Sequence, residues 1–518
     1  MPLLKKIAAT YVAALAGFSL AMGSQHDIPP AFGPYLHPAP ADFAEAKTFK
    51  SGQRMVGTYY FYWYDAPSQT HIINVGAGTD ALTDHPPTLD DFSWKSVAWH
   101  RKQLLDMETA GIDVALMVFW GAPSEQKPNS NFYWSYEGLK PLVEARAQLV
   151  QEGRHPPAIG LFYDTSTLAN NSWSEHIDLT TDYGRRWFYA TVRDFFSCIP
   201  ARDWAMIDNK PIVLMYAVDF ARNHDQSFVD YTKKAFATDF SGRTPYLAPQ
   251  NSWQVKADST CAWGGALGLK HEEICELGPG YDHSAVPGRK PLIVKRDGGR
   301  FYEANWIKFL RNPSSFVMLE TWSEFHEGTD ICESREYGRQ YIDLTQKYIR
   351  LFKQGWKPPA VQGKFKNAPR AEIVLGEHNH EAGLRLIVND DGMTVPVTIG
   401  GSAAIKPASP DARFMYFAAD DSFKWSPSMH AKLEVEYFDT GKGSLSVEFD
   451  GSDPGAPFHG AYTLGGKRVN MTGAQQWKTA EFDLAGARFL NSENNEADFR
   501  LDLLAPDICI RRVALLRE

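Results

Sequence analysis

Phe316-Val317-Met318-Leu319-Glu320-Thr321-Trp322-Ser323-Glu324-Phe325-His326-Glu327-Gly328 sets an apolar run in front of two carboxylates three residues apart. The run Phe316–Leu319 reads as a strand buried on both faces, so the residues after it leave the strand's C-terminal end and face whatever cavity lies there. In a (β/α)8 barrel, that end carries the active site. A solvated helix would also bring two acids three apart. Against it, Trp322 and Phe325 interleave with Glu324 and Glu327, the segment has no helical period, and Gly328 with Thr329 marks a loop.

Aromatic rings beside carboxylates suit a sugar, whose C–H faces pack on the rings while the acids act at the anomeric carbon. The run from Trp322 to Asp330 resembles the N-E-W-H-E-G-T-Q signature of glycoside hydrolase family 99, the endo-α-1,2-mannosidases and mannanases. Gly278-Pro279-Gly280-Tyr281-Asp282 is similar to that family's G-P-G-Y segment. Arg296-Asp297-Gly298-Gly299-Arg300-Phe301-Tyr302 resembles its R-x-x-G-x-Y-Y segment, and Gly57 to Tyr64 its first barrel strand. These matches keep their order and span about 54–333. Ser323 stands where the family has Asn, and Phe325 where it has Trp, so the contacts around a bound sugar need not be those of a mannosidase.

The resemblance implies a retaining hydrolase without an enzymic nucleophile. Glu324 would deprotonate the sugar's own 2-hydroxyl, which attacks the anomeric carbon to give a 1,2-anhydro sugar, and Glu327 would protonate the leaving oxygen and later activate water. Acid catalysis near neutral pH needs a raised carboxyl pKa, which burial beside Trp322 and Phe325 would supply. A conventional nucleophile and acid/base pair is the alternative. His326, between the acids, either meets a sugar hydroxyl or supports Glu327.

Working outward, strands are expected at 55–62, 114–119, 158–163, 211–216, 246–248, near 262–266, 292–294 and 316–321. Helical patterns lie between them, as at 93–110, 136–151, 183–197, 226–237 and 302–311, and follow at 336–352. Eight alternating units predict an α/β fold, a (β/α)8 TIM barrel. Residues at the strand ends become candidate substrate contacts: Trp63, Tyr64 and Asp65 after the first, Trp120 after the second, and Tyr163 with Asp164 at the third. Tyr281, Trp322 and His326 join them.

After Trp356-Lys357-Pro358-Pro359 the pattern changes to short alternating runs, at 432–439, 444–450, 477–484, 499–504 and 508–515, split by Gly, Asp, Asn and Pro. They predict an antiparallel β-sandwich, similar to the jelly-roll accessory modules of polysaccharide-degrading enzymes. Such a carbohydrate-binding-like module either packs against the barrel, the slightly favoured expectation, or binds glycan. The domain division is therefore 1–23 signal peptide, 24–50 leader, 51–358 catalytic barrel and 365–518 sandwich.

Lys5 and Lys6, an apolar stretch over 7–21 and small residues up to Gly23 read as a secretory signal peptide cleaved near Gly23; the stretch is short of the ~20 residues a membrane span needs. A secreted or periplasmic bacterial protein is expected, with no membrane contact beyond export. A net charge of −9 over 518 residues, without a basic stripe, argues against nucleic acid. No dinucleotide fingerprint, P-loop, nucleophile elbow or metal-spaced His/Cys set is present, so no cofactor and no catalytic metal are expected. Of five cysteines, Cys261 and Cys275 fit either one disulfide or two buried thiols. Two other classes compete with hydrolysis: a glycosyltransferase-like enzyme of polysaccharide assembly, opposed by the signal peptide because nucleotide sugars are cytoplasmic, and a non-catalytic carbohydrate-binding surface protein.

Overall fold

The computed structural model describes residues 26–289, 292–388, 390–504 and 507–518; the signal peptide lies outside them. The chain forms two compact units, one from 1–266, 273–304 and 314–356, the other from 267–272, 305–313 and 357–518.

The first unit alternates strands and helices. Its strands are β1 (Lys47–Phe49), β2 (Met55–Tyr60), β3 (Val114–Phe119), β4 (Ala158–Tyr163), β5 (Ala205–Ile207), β6 (Lys210–Met215), β7 (Tyr246–Pro249), β8 (Ile274–Leu277), β9 (Tyr281–Asp282), β10 (Ile293–Val294) and β11 (Phe316–Leu319). Its helices are α1 (Val97–Ala110), α2 (Trp134–Glu137), α3 (Leu139–Gln151), α4 (Asp182–Cys198), α5 (Ser227–Asp239), the first turn of α6 (Arg300–Arg311), whose remainder counts with the second unit, and α7 (Gln340–Gln354). Helices that follow strands force parallel pairing, and every residue of β2, β3 and β4 is buried, as strands covered on both faces must be. Local chemistry sets the helix ends. The Ser96 hydroxyl accepts from the Trp99 amide at 3.2 Å to start α1, and Gly111, at φ 85°, stops it in a conformation a side chain would strain.

The parallel ladder runs β7-β6-β4-β3-β2-β11-β8. It returns on itself through one residue, since Cys261 bridges Gln250 just after β7 and Ile274 of β8, both in parallel. Inside lie Tyr59, Phe61, Leu116, Val118, Phe162 and Met318, with Trp63, Trp120, Tyr216 and Trp263 packed partly buried against them.

Two sequence expectations are corrected here. The segment expected as the seventh strand, 292–294, is the second arm of an antiparallel hairpin, with Val294 opposite Tyr281. The seventh place belongs to β8, whose Glu276 interrupts an apolar run and hid it from a periodicity reading; that carboxyl is buried where the Gly265 amide donates to it and its charge bears on Glu320, 44 residues on. The sixth strand, expected near 262–266, shrinks to the bridged Cys261, whose thiol donates to the Ala248 carbonyl at 3.2 Å. No described helix is long and apolar enough to cross a membrane.

The second unit is β-rich and antiparallel, with a seven-stranded and a six-stranded sheet. Met429–Phe438 pairs on one side with Trp477–Ala487 and on the other with Cys509–Arg517. Its alternation is the period-two signal made visible: Ala431, Leu433 and Val435 point into a core shared with Met415, Phe417 and Val447 of the other sheet. Each such Leu or Phe contributes roughly 1.5–3 kcal/mol on burial.

Candidate active site

The loop after β11 is built to hold its two carboxyls apart. Leu319 ends the ladder, and the backbone then turns through Thr321, whose hydroxyl accepts from the Glu324 amide at 2.9 Å. The Tyr64 hydroxyl accepts from the Phe325 amide at 2.9 Å, and the Thr83 amide donates to the Phe325 carbonyl at 2.9 Å. The far side is pinned by Arg296. Its guanidinium donates to Asp84 at 2.8 Å, to Asp330 at 2.8 Å and to the Gly328 carbonyl at 3.0 Å, and it lies over the rings of Tyr337 and Tyr341. A buried charge with this many partners is a strut: removing it would strand two aspartates.

Glu324 is 3% exposed. Its Oε1 faces the Nδ1 of His326 at 3.1 Å and accepts from that residue's amide at 3.1 Å, while Oε2 is buried with no hydrogen-bond partner. His326 Nε2 meets the carbonyl of His71 at 2.7 Å; a carbonyl only accepts, so Nε2 carries a hydrogen. Burial raises the Glu324 pKa, with His326 opposing it. Burial alone would lower that of His326, but the carboxyl beside it prevails and the imidazole is raised. The pair thus holds one proton between Nδ1 and Oε1. His71, buried and close to His326, is pushed down to about 3 and stays neutral, its Nδ1 donating to the Trp63 carbonyl at 2.8 Å.

Glu327 stands in a different environment. Its Oε1 pairs with Arg289 Nη1 at 2.5 Å, and both side chains are about a fifth exposed, at 22% and 18%. Its carbonyl accepts from the Asp282 amide at 2.8 Å, joining the loop to the β9–β10 hairpin. Tyr281, at the start of that hairpin, is held neutral by burial and then by the charge of Glu327. The Asp164 carboxyl, buried after β4, is pushed up to about 6 by burial, against the hydrogen bond from the Ser166 amide at 3.0 Å. Tyr216, after β6, is raised by burial and then by the charges of Asp164, Glu327 and Glu320.

Trp63, Trp120, Asp164, Tyr281 and His326 therefore gather with the two glutamates. Trp63 and Trp120 cross at 5.5 Å, and the indole Nε1 of each is buried without a partner. The other candidates go elsewhere. Trp322 is fully buried with Nε1 donating to Gln103 of α1 at 2.8 Å, and Tyr163 packs on Phe188 of α4 at 5.1 Å. Tyr64 stacks on Phe92 at 4.9 Å beneath the loop, and Asp65 caps its own turn, accepting from Ser68 and Ser93. Alternation separates the two groups, since every other side chain leaving a parallel strand faces a helix. His71, Tyr216, Glu276, Arg289 and Glu320 carried no motif in the sequence. Among the described residues, no group of three His, Cys, Asp or Glu side chains could hold a metal ion.

A family model matches residues 40–357, the strands, the loop and both glutamates included; its description is Domain of unknown function (DUF5010). The chain belongs to this family. No curated protein matches it in sequence. Solved structures resemble parts of it. The GH99 endo-alpha-mannosidase from Bacteroides thetaiotaomicron is 14% identical over 58% of this chain and 97% of its own, with a TM-score of 0.40. A glycoside hydrolase-like protein is 15% identical over 61% of this chain and 99% of its own, with a TM-score of 0.45. A carbohydrate binding module from Cellvibrio mixtus lichenase 5A is 16% identical over 29% of this chain and 97% of its own, with a TM-score of 0.15.

Proposed function

We propose that this chain is an exported glycoside hydrolase whose first unit is a (β/α)8 barrel, with Glu324 and Glu327 working on a glycan at the C-terminal mouth. One observation carries the reading: three buried polar atoms at that mouth, Glu324 Oε2, Trp63 Nε1 and Trp120 Nε1, have no hydrogen-bond partner among the described residues. Each such atom costs about 1–3 kcal/mol. A ring bearing several hydroxyls offers both a donor for the carboxyl oxygen and acceptors for the indoles, with C–H faces for the rings.

The chemistry follows the family-99 resemblance. Glu324 takes the proton of the sugar 2-hydroxyl; the freed oxygen bonds to the anomeric carbon as the glycosidic bond breaks, and Glu327 gives its proton to the leaving oxygen. Water then adds at the anomeric carbon, losing its proton to Glu327, while the 1,2-anhydro ring opens and its oxygen recovers the proton from Glu324. His326 suits the first step, because an imidazolium beside Glu324 stabilises the carboxylate that must accept. Burial raises the pKa of the Glu324 carboxyl, and Glu327 has its Oε1 engaged by Arg289. Its Oε2 is then the atom left to carry the transferred proton.

Cleavage near Gly23, a secreted or periplasmic location and an accessory role for 365–518 complete the proposal. The test is hydrolysis of a panel of plant, fungal and bacterial glycans by the purified protein, with a 2-deoxy-2-fluoro substrate as control. Turnover of that control through a trapped glycosyl–glutamate adduct would exclude the anhydro-sugar route, and hydrolysis of no glycan would exclude the enzyme.

A further inference from the structure

A second carboxyl pair lies beside the catalytic loop, unused by the mechanism above. Glu276 of β8 and Glu320, which follows β11, are 0% and 2% exposed, and the charge of Glu276 acts on Glu320. Two carboxyls buried within reach of each other's charge cannot both ionise without a penalty. Both turn an oxygen toward the same short segment. Glu320 Oε2 accepts from the amides of Gly264 at 2.9 Å and Ala266 at 3.2 Å, and Glu276 Oε2 accepts from Gly265 at 3.3 Å.

That segment is where the sixth strand gives way after Cys261. Its amides, which a strand would have placed in the ladder, are satisfied by carboxyls instead. The glycines make this approach feasible: Gly264 sits at φ 100°, and a Cβ on Gly265 would fall 2.6 Å from the Leu277 nitrogen. The segment carries one large side chain, Trp263. Its ring stacks on Phe162 at 5.2 Å and 12°, and meets Tyr59 and Tyr216 at 5.1 Å each. It is partly exposed in the same aromatic layer as Trp63 and Trp120, and its neighbour Tyr216 feels both Asp164 and Glu327.

We propose that Trp263 is a sugar-stacking platform of the mouth, seated by the Glu276–Glu320 pair acting through the amides of Gly264, Gly265 and Ala266. The platform rests on the glycoside hydrolase reading; the seating does not. Trp263 touches the sugar, and the two glutamates are positioning residues. A proton kept on the pair leaves at most one charge there; its loss sets two like charges against each other and frees the segment. The titratable groups acting on or beside the pair are Tyr59 of β2, Cys261, Tyr216 of β6, Tyr281 of the hairpin and Glu327. None of these five is a cation that would stabilise the doubly ionised state. Burial raises the Glu320 pKa well above that of an ordinary glutamate, with Glu276 adding to it. The seating is thus complete at low pH and fails as pH rises through that raised value.

Two measurements on the full chain test this separately. Protein labelled with 5-fluorotryptophan gives a fluorine resonance assignable to Trp263 by its absence in Trp263→Phe. In unliganded protein that resonance should move as pH is raised between about 5 and 9. In Glu320→Gln it should stay fixed at the low-pH position, because the amide mimics the protonated acid toward Glu276. A resonance indifferent to pH, or one that titrates equally in Glu320→Gln, overturns the seating. On a hydrolysed glycan, Trp263→Ala should raise KM about tenfold with kcat within about threefold, while Trp263→Phe keeps most of the affinity. An unchanged KM overturns the platform even though the enzyme works. A wild-type protein that binds no glycan removes the platform together with the hydrolase reading, and the fluorine signal still decides the seating.

Discussion

On the outer face of the second unit's long strands, charges answer one another across the ladder. Arg512 reaches Glu436 at 2.7 Å and Glu372 at 3.5 Å, Arg370 reaches Glu434 at 3.0 Å, and Lys432 reaches Glu481 at 2.6 Å. In the first unit, the ends of β2, β3 and β11 leave the opposite residue: Trp63 Nε1, Trp120 Nε1 and Glu324 Oε2, buried and without partners. Neighbouring antiparallel strands hold opposite side chains at one fixed spacing, so charges can be matched pair by pair. Parallel strands all end on one face, where loops from distant parts of the chain converge and polar atoms are left for a ligand. The contrast teaches where energy is spent on the fold and where it is withheld for chemistry.

The largest effect should come from the glutamates. Glu324→Gln and Glu327→Gln keep shape but lose the titrating proton, so hydrolysis should fall by about a hundredfold to ten-thousandfold with little change in Tm. An activated aryl glycoside should partly rescue Glu327→Gln but not Glu324→Gln, since a good leaving group needs no acid while the 2-hydroxyl still needs a base. Full turnover by both variants would remove the site.

Next in size, the same substitution can be made in both units. Arg296→Met should lower stability by about 3–5 kcal/mol, because Asp84 and Asp330 are left buried and unpaired. Arg512→Met, on the solvent-facing ladder, should cost less than about 1 kcal/mol. Equal losses on thermal or urea unfolding would mean that the two networks do the same work.

Asp164 gives a pH-dependent version. Its folded pKa, about 6, stands above the 3.8 of an unperturbed aspartate, so its contribution is complete below about pH 4 and is lost as pH rises through 6. Asp164→Asn should match the wild type near pH 4 and be more stable at pH 7, by on the order of 1–3 kcal/mol. Unfolding curves that keep the same separation at both pH values would show that the carboxyl is not desolvated.

The smallest effect concerns the second unit again. Glu493 is fully buried, with neither oxygen hydrogen-bonded, and burial raises its pKa well above the ordinary value. Glu493→Gln should then change Tm by only a few degrees near pH 5, where the acid is already neutral, and should lessen the fall in stability at higher pH. A large loss at pH 5 would point to an ionised carboxylate.

Much of the first unit could be read from the chain. Fully apolar runs such as Val114–Phe119 and Ala158–Tyr163 announce parallel strands, and period-two runs such as Met429–Phe438 announce antiparallel ones, because each pattern is the local imprint of what covers a strand. The pairing of Glu324 with Glu327 on one loop was likewise fixed by adjacency and by Gly328. What adjacency cannot encode was settled only in three dimensions. Glu276 is buried in a strand with the Gly265 amide donating to it and its charge bearing on Glu320, 44 residues on; Trp322 is buried because Gln103, 219 residues earlier, takes its indole; Arg289 becomes the partner of Glu327 from 38 residues away. Burial of a polar group is stable only when its partner arrives, and the identity of that partner is a property of the folded chain.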